Sequence, residues 1–440
     1  MATIERPLRG PLICAGIVVL SVAGTSPSAT AETRGYVISM IHTATHANTD
    51  TCPAGGNGGP VDIRTRRLVD AGFDNDEALR IIGNGGVDDN GTRVDITKLY
   101  GSSAPAGGQP WNGQPVSPGN VPALLADPVV ETAQGRFAYG FDLDGQVSPD
   151  DFEDPDSHEL GVDNHMWRVL GCFDVYRIRR PVVPYNESIV WDTAIDSMPA
   201  WLMSVSGENL DRDGDVTVTF DRSFNVLLRD AYGGVMSGAT FVIDPDPRSH
   251  NVFKGTIKNQ VLTIEPGDFS LQGESQFYAV LRFSQTQLRL QMDPDGSLRG
   301  ILGGYQPWRD YYHYLAIRGE SDGQVDLPGV YYAMKRLADG GPDIMTGENT
   351  EISAAYWLEA VPAFHVTTSG EVTGKSVGNG PKFSGPAASR LTTHDSTQHQ
   401  QRRAWSSHSS CAVCVYGPLD VCINNNCARG CTRAPDDGTV

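Results

Sequence analysis

The stretch Phe141-Asp142-Leu143-Asp144-Gly145-Gln146-Val147-Ser148-Pro149-Asp150-Asp151-Phe152 concentrates more chemistry than any other part of the chain. Glu153, Asp154, Asp156, Glu159 and Asp163 follow it, and no Lys or Arg lies between Arg136 and Arg168. Carboxylates packed this densely repel one another unless water, a cation or basic groups from elsewhere offset them. The chemistry on offer is therefore cation binding through oxygen, with calcium the cation available in quantity outside a cell.

Asp142, Asp144 and Gly145 resemble positions three, five and six of an EF-hand calcium loop, and the resemblance spans residues 140–152. Val147 then falls on the apolar eighth position, Asp151 on the twelfth and Phe152 just after it. In such a loop alternate acids converge on one ion, the glycine allows a sharp turn, and the last acid closes the shell. The candidate donors are Asp142, Asp144, Ser148, Asp150 and Asp151. The pattern departs at its first position, which is Gly140, and Asp151 is shorter than the usual Glu. Both departures imply a weaker site, filled at extracellular calcium levels, and no EF-hand fold is implied. Asp211, Asp213 and Asp215 around Gly214 make a second candidate, although an ordinary Asp-Gly turn explains them as well. Asp293-Pro294-Asp295-Gly296 reads as a hairpin turn.

Other residues are weaker leads. His42 and His46 are four apart with Asp50 nearby, but Thr43 stands where a zincin would have its general base. His158 and His165 lie in the acidic segment with no nucleophile beside them in sequence. There is no Gly-x-Ser-x-Gly elbow, and the Gly-rich stretches 55–59 and 83–86 lack a phosphate-loop lysine. Tyr305, Trp308, Tyr311 and Tyr312 are a candidate ligand surface, since such side chains offer flat apolar area with a polar tip. The plainer reading of the same four is core packing.

These residues need a scaffold, and the patterning indicates α+β, β-rich: an antiparallel β-sandwich or barrel with a loop-rich, partly helical N-terminal lobe. Residues 36–41 read as a strand, and Ile63–Ala71 and Asp76–Ile82 as short helices ended by glycines. Residues 164–172 predict a helix over the acidic segment. Val216, Val218 and Phe220 alternate onto one face. Val252–Ile257 and Val261–Ile264 predict a hairpin, and the strands on either side of Asp293–Gly296 predict another. Pro328 opens a helix that Gly340, Gly341 and Pro342 end, and 352–361 reads as a closing strand.

The expected divisions are a signal peptide at 1–31, an N-terminal lobe at 32–187, a β-domain at 188–366, a disordered linker at 367–410 and a Cys-rich tail at 411–440. Arg6, Arg9, the apolar run 12–22 and Ala29-Thr30-Ala31 carry the signal reading. The mature protein is thus expected to be secreted or periplasmic, with Cys52 paired to Cys172 and five cysteines left in the tail. A net charge of −19 argues against nucleic acid and anionic lipid. No apolar run after the signal is long enough to span a membrane as a helix.

The segments 140–145, 244–251 (Asp-Pro-Asp-Pro-Arg-Ser-His-Asn), 303–308 (Gly-Gly-Tyr-Gln-Pro-Trp) and 327–333 (Leu-Pro-Gly-Val-Tyr-Tyr-Ala) together resemble secreted bacterial proteins that remain uncharacterised. The resemblance implies one unit from about Gly35 to Val366 and carries no activity. The expectation is a calcium-binding, β-rich module for an unidentified ligand or protein partner. The alternative is a secreted hydrolase using acidic residues with calcium or another metal.

Overall fold

The computed structural model describes residues 31–70, 72–94, 122–124, 126–177, 197–273, 279–317 and 325–374. The signal segment and the Cys-rich tail expected from sequence lie outside the described residues. Among those described, no helix is long and apolar enough to cross a membrane.

Eight antiparallel strands form the centre: β1 (Glu32–Thr43), β2 (Pro199–Gly207), β3 (Gly214–Val226), β4 (Asn251–Lys258), β5 (Val261–Ile264), β6 (Val280–Met292), β7 (Leu298–Pro307) and β8 (Asn349–Pro362). Each pairs with the next, and β1 also pairs with β8 through Tyr36↔Pro362 to Thr43↔Tyr356. The sheet is therefore closed, an up-and-down barrel rather than a sandwich. Closure follows from β1, whose other edge takes β2 through Glu32↔Gly207 to Val37↔Leu202. The expected boundary at 187/188 thus falls inside one barrel, because β1 comes from the N-terminal part and its partners from the C-terminal part.

Period-two alternation builds the interior. Val216, Val218 and Phe220 are buried while Thr217 is exposed. Register carries the inward face around the wall through Val218↔Phe253, Leu262↔Leu290, Leu288↔Leu302 and Leu302↔Tyr356. An aromatic run, Phe220, Phe269, Phe283 and Tyr356, crosses this interior with ring centroids 5.2, 6.0 and 5.5 Å apart. Each such ring contributes about 1.5–3 kcal/mol on burial.

The turns explain the polarity of the barrel. At one end the connections are short. Asn259 and Gln260, both at positive φ, link β4 to β5 as a tight two-residue hairpin. Asp293–Ser297 links β6 to β7, with Gly296 at φ 86°. All long connections leave from the other end, where helices gather. They are α1 (Pro60–Asp70), α2 (Asn75–Gly83), α3 (His165–Leu170), α4 (Trp308–Ile317) and α5 (Leu327–Leu337). Asn164 caps α3 and Asp326 caps α5 through side-chain acceptors.

The structure differs from expectation in two further places. Trp308, Tyr311 and Tyr312 belong to α4 and are 0–1% exposed, and Tyr305 on β7 is 6% exposed, so the four are packed interior instead of an exposed ligand surface. Their spacing with Leu315 (308, 311, 312, 315) is that of one helix face. The folded unit also continues beyond 366, since Val372–Gly374 pairs with Phe364–Val366, which in turn pairs with Thr240–Val242. This small sheet lies against β1: the Ala363 amide donates to the Gly35 carbonyl at 2.8 Å, and His365 Nε2 sits 2.9 Å from the Tyr36 carbonyl oxygen.

The disulfide joins Cys52 to Cys172, as expected from sequence. It ties the loop after β1 to the end of α3, and the Asn57 amide donates to the Cys172 carbonyl alongside it. Replacing both cysteines by alanine should lower unfolding free energy by about 2–5 kcal/mol, measured by denaturant titration under oxidising conditions. An unchanged midpoint would mean that packing alone holds this loop.

Candidate functional site

The outer wall of β7 and β8 is apolar: Ile301, Tyr305, Ala355 and Trp357 face away from the interior set. Ala44, Tyr139, Phe141 and Leu143 cover it and make a separate core with it. Covering that wall brings the acidic segment to the barrel. Phe141 pairs with Asp163 in a bridge, and Phe152–Glu153 pairs with Leu160–Val162, so the chain folds back on itself over the wall.

The turn between these pairings is held by its own carboxylates. Gly145 at φ 75° reverses the chain, and its amide donates to Asp142 Oδ1 at 2.6 Å. Gln146 N donates to Asp144 Oδ1 at 2.8 Å. Asp163 Oδ2 accepts from Leu143 N at 2.7 Å and from Asp144 N at 3.3 Å. Gly161, at φ 82°, allows the returning strand to approach, for a Cβ there would lie 2.6 Å from the Gln146 carbonyl oxygen.

As a result Asp142, Asp144 and Asp163 each present a carboxylate oxygen with all three within 4.8 Å. Among the described residues it is the one group of three or more His, Cys, Asp or Glu side chains so arranged. Only one oxygen of each carboxylate takes a hydrogen bond among the described residues. The other three oxygens are free to ligate. The donors are all oxygen, which fits a hard divalent ion such as calcium or magnesium better than zinc or copper.

Neighbouring carboxylates are matched differently. Arg289 on β6 reaches Asp154 at 2.7 Å and Glu159 at 3.0 Å. Arg136 bridges Glu153, which also meets His158 Nδ1 at 2.8 Å. Arg168 lies over the Phe152 ring at 4.1 Å and donates to the Asp150 carbonyl oxygen. Asp142, Asp144 and Asp163 receive no Lys or Arg among the described residues. Burial first, then the charges of Asp144, Asp151 and Asp339, push the Asp163 carboxyl up to about 6, while the Leu143 amide works the other way. Burial and the charges of Asp163, Asp339, Asp144 and Asp142 raise the Tyr305 phenol as well.

A second polar layer adjoins the triad. Asp339, its carboxyl raised by burial, accepts from Ser353 N at 2.7 Å and from Ser353 Oγ at 2.6 Å. His165 Nδ1 is 2.8 Å from the Leu337 carbonyl oxygen and 3.3 Å from Asp339, and its buried Nε2 has no partner among the described residues. The Ser353 hydroxyl is thus directed at Asp339 and not at the imidazole, and the arrangement is not that of a serine nucleophile with its base.

Of the residues proposed from sequence, Asp142 and Asp144 come together and Asp163 joins them. Ser148 and Asp151 bond to each other, Oγ to Oδ1 at 2.8 Å, and Ser148 Oγ also accepts from Asp150 N at 3.2 Å. Asp211 accepts from Arg34 at 2.7 Å, Asp213 takes the Asn259 amide at 2.8 Å, and Asp215 is an exposed residue of β3. His42 is buried on β1, and His46 packs edge-on against Phe137 and Tyr139. Comparison with protein-family profiles, characterised proteins and solved structures finds no match to this chain.

The raised Asp163 carboxyl has a measurable consequence without metal. Below its ordinary value of 3.8 the folded and unfolded chains both hold the proton. As pH rises from there to about 6, the unfolded chain releases it while the folded chain keeps it, so stability falls. Above about 6 the whole cost, on the order of 2–3 kcal/mol, is in force. Asp163→Asn keeps an acceptor for the Leu143 amide. In chelator it should therefore be the more stable protein at pH 7.5 and equal to the parent near pH 4. Equal stability of the two at pH 7.5 would show that Asp163 is not held against its charge.

Proposed function

We propose that this is a secreted or periplasmic barrel protein in which a bound calcium ion fastens the acidic segment 137–164 to the outer wall of β7 and β8. The observation that carries the reading is the convergence of Asp142, Asp144 and Asp163 without a basic partner among the described residues, beside carboxylates that do have arginines. Three carboxylates supply charge, the Gly145 turn supplies the bend, and backbone carbonyls or water complete a calcium shell. An ion there offsets the burial, and after it the neighbouring charges, that otherwise raise Asp163. A site with one exposed, one half-buried and one buried carboxylate, departing from the EF-hand pattern, suits the millimolar calcium found outside cells. The secreted location rests on the features of residues 1–31 and agrees with the oxidised Cys52–Cys172 pair.

The role that follows is binding, with the ion as a structural clamp and the barrel as scaffold for a ligand or protein partner. Thermal unfolding of the full chain in chelator, millimolar calcium and millimolar magnesium tests it. Calcium should raise the melting temperature, by the equivalent of about 0.4 kcal/mol where its concentration equals Kd and about 2.7 kcal/mol at a hundred times Kd. Magnesium should do less, and Asp142→Asn with Asp144→Asn should remove the response. Coincident melting in calcium and chelator would make the triad a solvated acidic face.

A further inference from the structure

A groove of about 680 Å³ opens at the end of the barrel where the long connections leave. Its walls are the added strand 267–272, which pairs outside β6, the start of β6, the first turn of α4 and the start of β8. Phe269 and Phe283 border the groove, with their rings packed into the barrel interior behind it. A bulge bends β6 at this wall: its register shifts between Ser284 and Gln287 against β7 and between Phe283 and Thr286 against the added strand. Gln285 within the bulge is held at φ 51°, a conformation that costs a non-glycine residue energy and recurs where strands are bent around sites.

The polar groups of the groove separate by partner. Arg282 Nε donates to Asp310 Oδ2 at 2.7 Å, and Ser284 Oγ donates to Glu351 Oε2 at 2.7 Å. Among the described residues the side chains of Arg309 and Asp268, one of each sign, have neither a hydrogen-bond nor an ion-pair partner, and Glu351 has the Ser284 hydroxyl but no basic partner. The Arg309 guanidinium lies 4.5 Å over the ring of Trp308, itself buried in the core. Stacking fixes the plane of the guanidinium and leaves its N–H edge free, the geometry that matches a carboxylate with two parallel bonds. Arg282 spends only Nε on Asp310, so its terminal N–H groups are also unspent.

We propose that the groove binds a small zwitterion carrying a carboxylate and an ammonium group, an amino acid or a short peptide with both ends free. The Arg309 fork takes the carboxylate and Asp268 the ammonium. A simple anion would meet Asp268, Asp310 and Glu351 in the same walls and a chain of net charge −19. A simple cation would meet two arginines. A zwitterion brings an anion to Arg309 and a cation to the side of Asp268, where Glu351 adds a second carboxylate without a basic partner among the described residues. The proposal does not depend on the calcium reading, because none of these residues belongs to the acidic triad.

Titration calorimetry of the full chain at low salt tests it, with L-alanine, dialanine and trialanine as probes, in chelator and again in calcium. At least one free-ended probe should bind at one per chain in both buffers. Acetylating its amine or amidating its carboxylate should weaken binding about tenfold or more, as should Arg309→Ala or Asp268→Asn. The proposal is overturned by absence of heat with all three probes, or by binding that survives end-blocking or Arg309→Ala. It is equally overturned if maltose binds and the peptides do not.

Discussion

Everything in this molecule depends on β1 hydrogen-bonding along both of its edges. Residues 32–43 pair with 199–207 on one side and 349–362 on the other, so the barrel closes only when chain segments more than 150 residues apart meet. A closed barrel has no free edges to pair with other chains. It also leaves an outer wall, and here that wall is apolar across β7 and β8. Water cannot be left against Ile301, Tyr305 and Trp357 without cost, so a covering segment is required. The segment that covers it is the acidic one. Packing demand thus sets carboxylates against a buried tyrosine, and the electrostatics of the site follow from the topology.

Two solutions to crowded negative charge stand side by side. Arg289, Arg136 and Arg168 approach from β6 and from the flanks of the acidic run, and hold Asp154, Glu159, Glu153 and the Asp150 carbonyl. Such partners reach around the triad but not into it. Among the described residues Asp142, Asp144 and Asp163 are left with backbone amides, which orient a carboxylate without neutralising it. Asp163 is the sharpest case, since it is 5% exposed and surrounded by other acids. A cation bound there would offset the burial and the neighbouring charges that raise the Asp163 carboxyl.

Much of this was legible in the chain. Strict alternation at Val216, Val218 and Phe220 marks an inward face, Asp293–Gly296 marks its hairpin, and Cys52 and Cys172 were the natural pair in the body of the protein. Asp142, Asp144 and Gly145 were legible because their spacing is local. Asp163 was not, since a calcium-loop frame counts along one loop while this cluster closes through space, from the next strand. Barrel and sandwich share the same alternation, and only the β1–β8 pairing separates them. The α4 aromatics did carry a signal. Residues 308, 311, 312 and 315 have helical spacing, but the density of Tyr and Trp reads equally well as a binding face until burial is known. The strand 372–374 was hidden by its Ser-, Gly- and Thr-rich composition, which small edge strands share with linkers.

The most direct measurement is a calcium titration by calorimetry on the full chain, stripped with chelator and held at pH 7.5, beside Asp163→Asn. The account predicts one site per chain in the parent, with a dissociation constant of about a millimolar or tighter, and loss of that site in Asp163→Asn. No calcium binding by the parent up to about 10 mM, or equal binding by the variant, would contradict it.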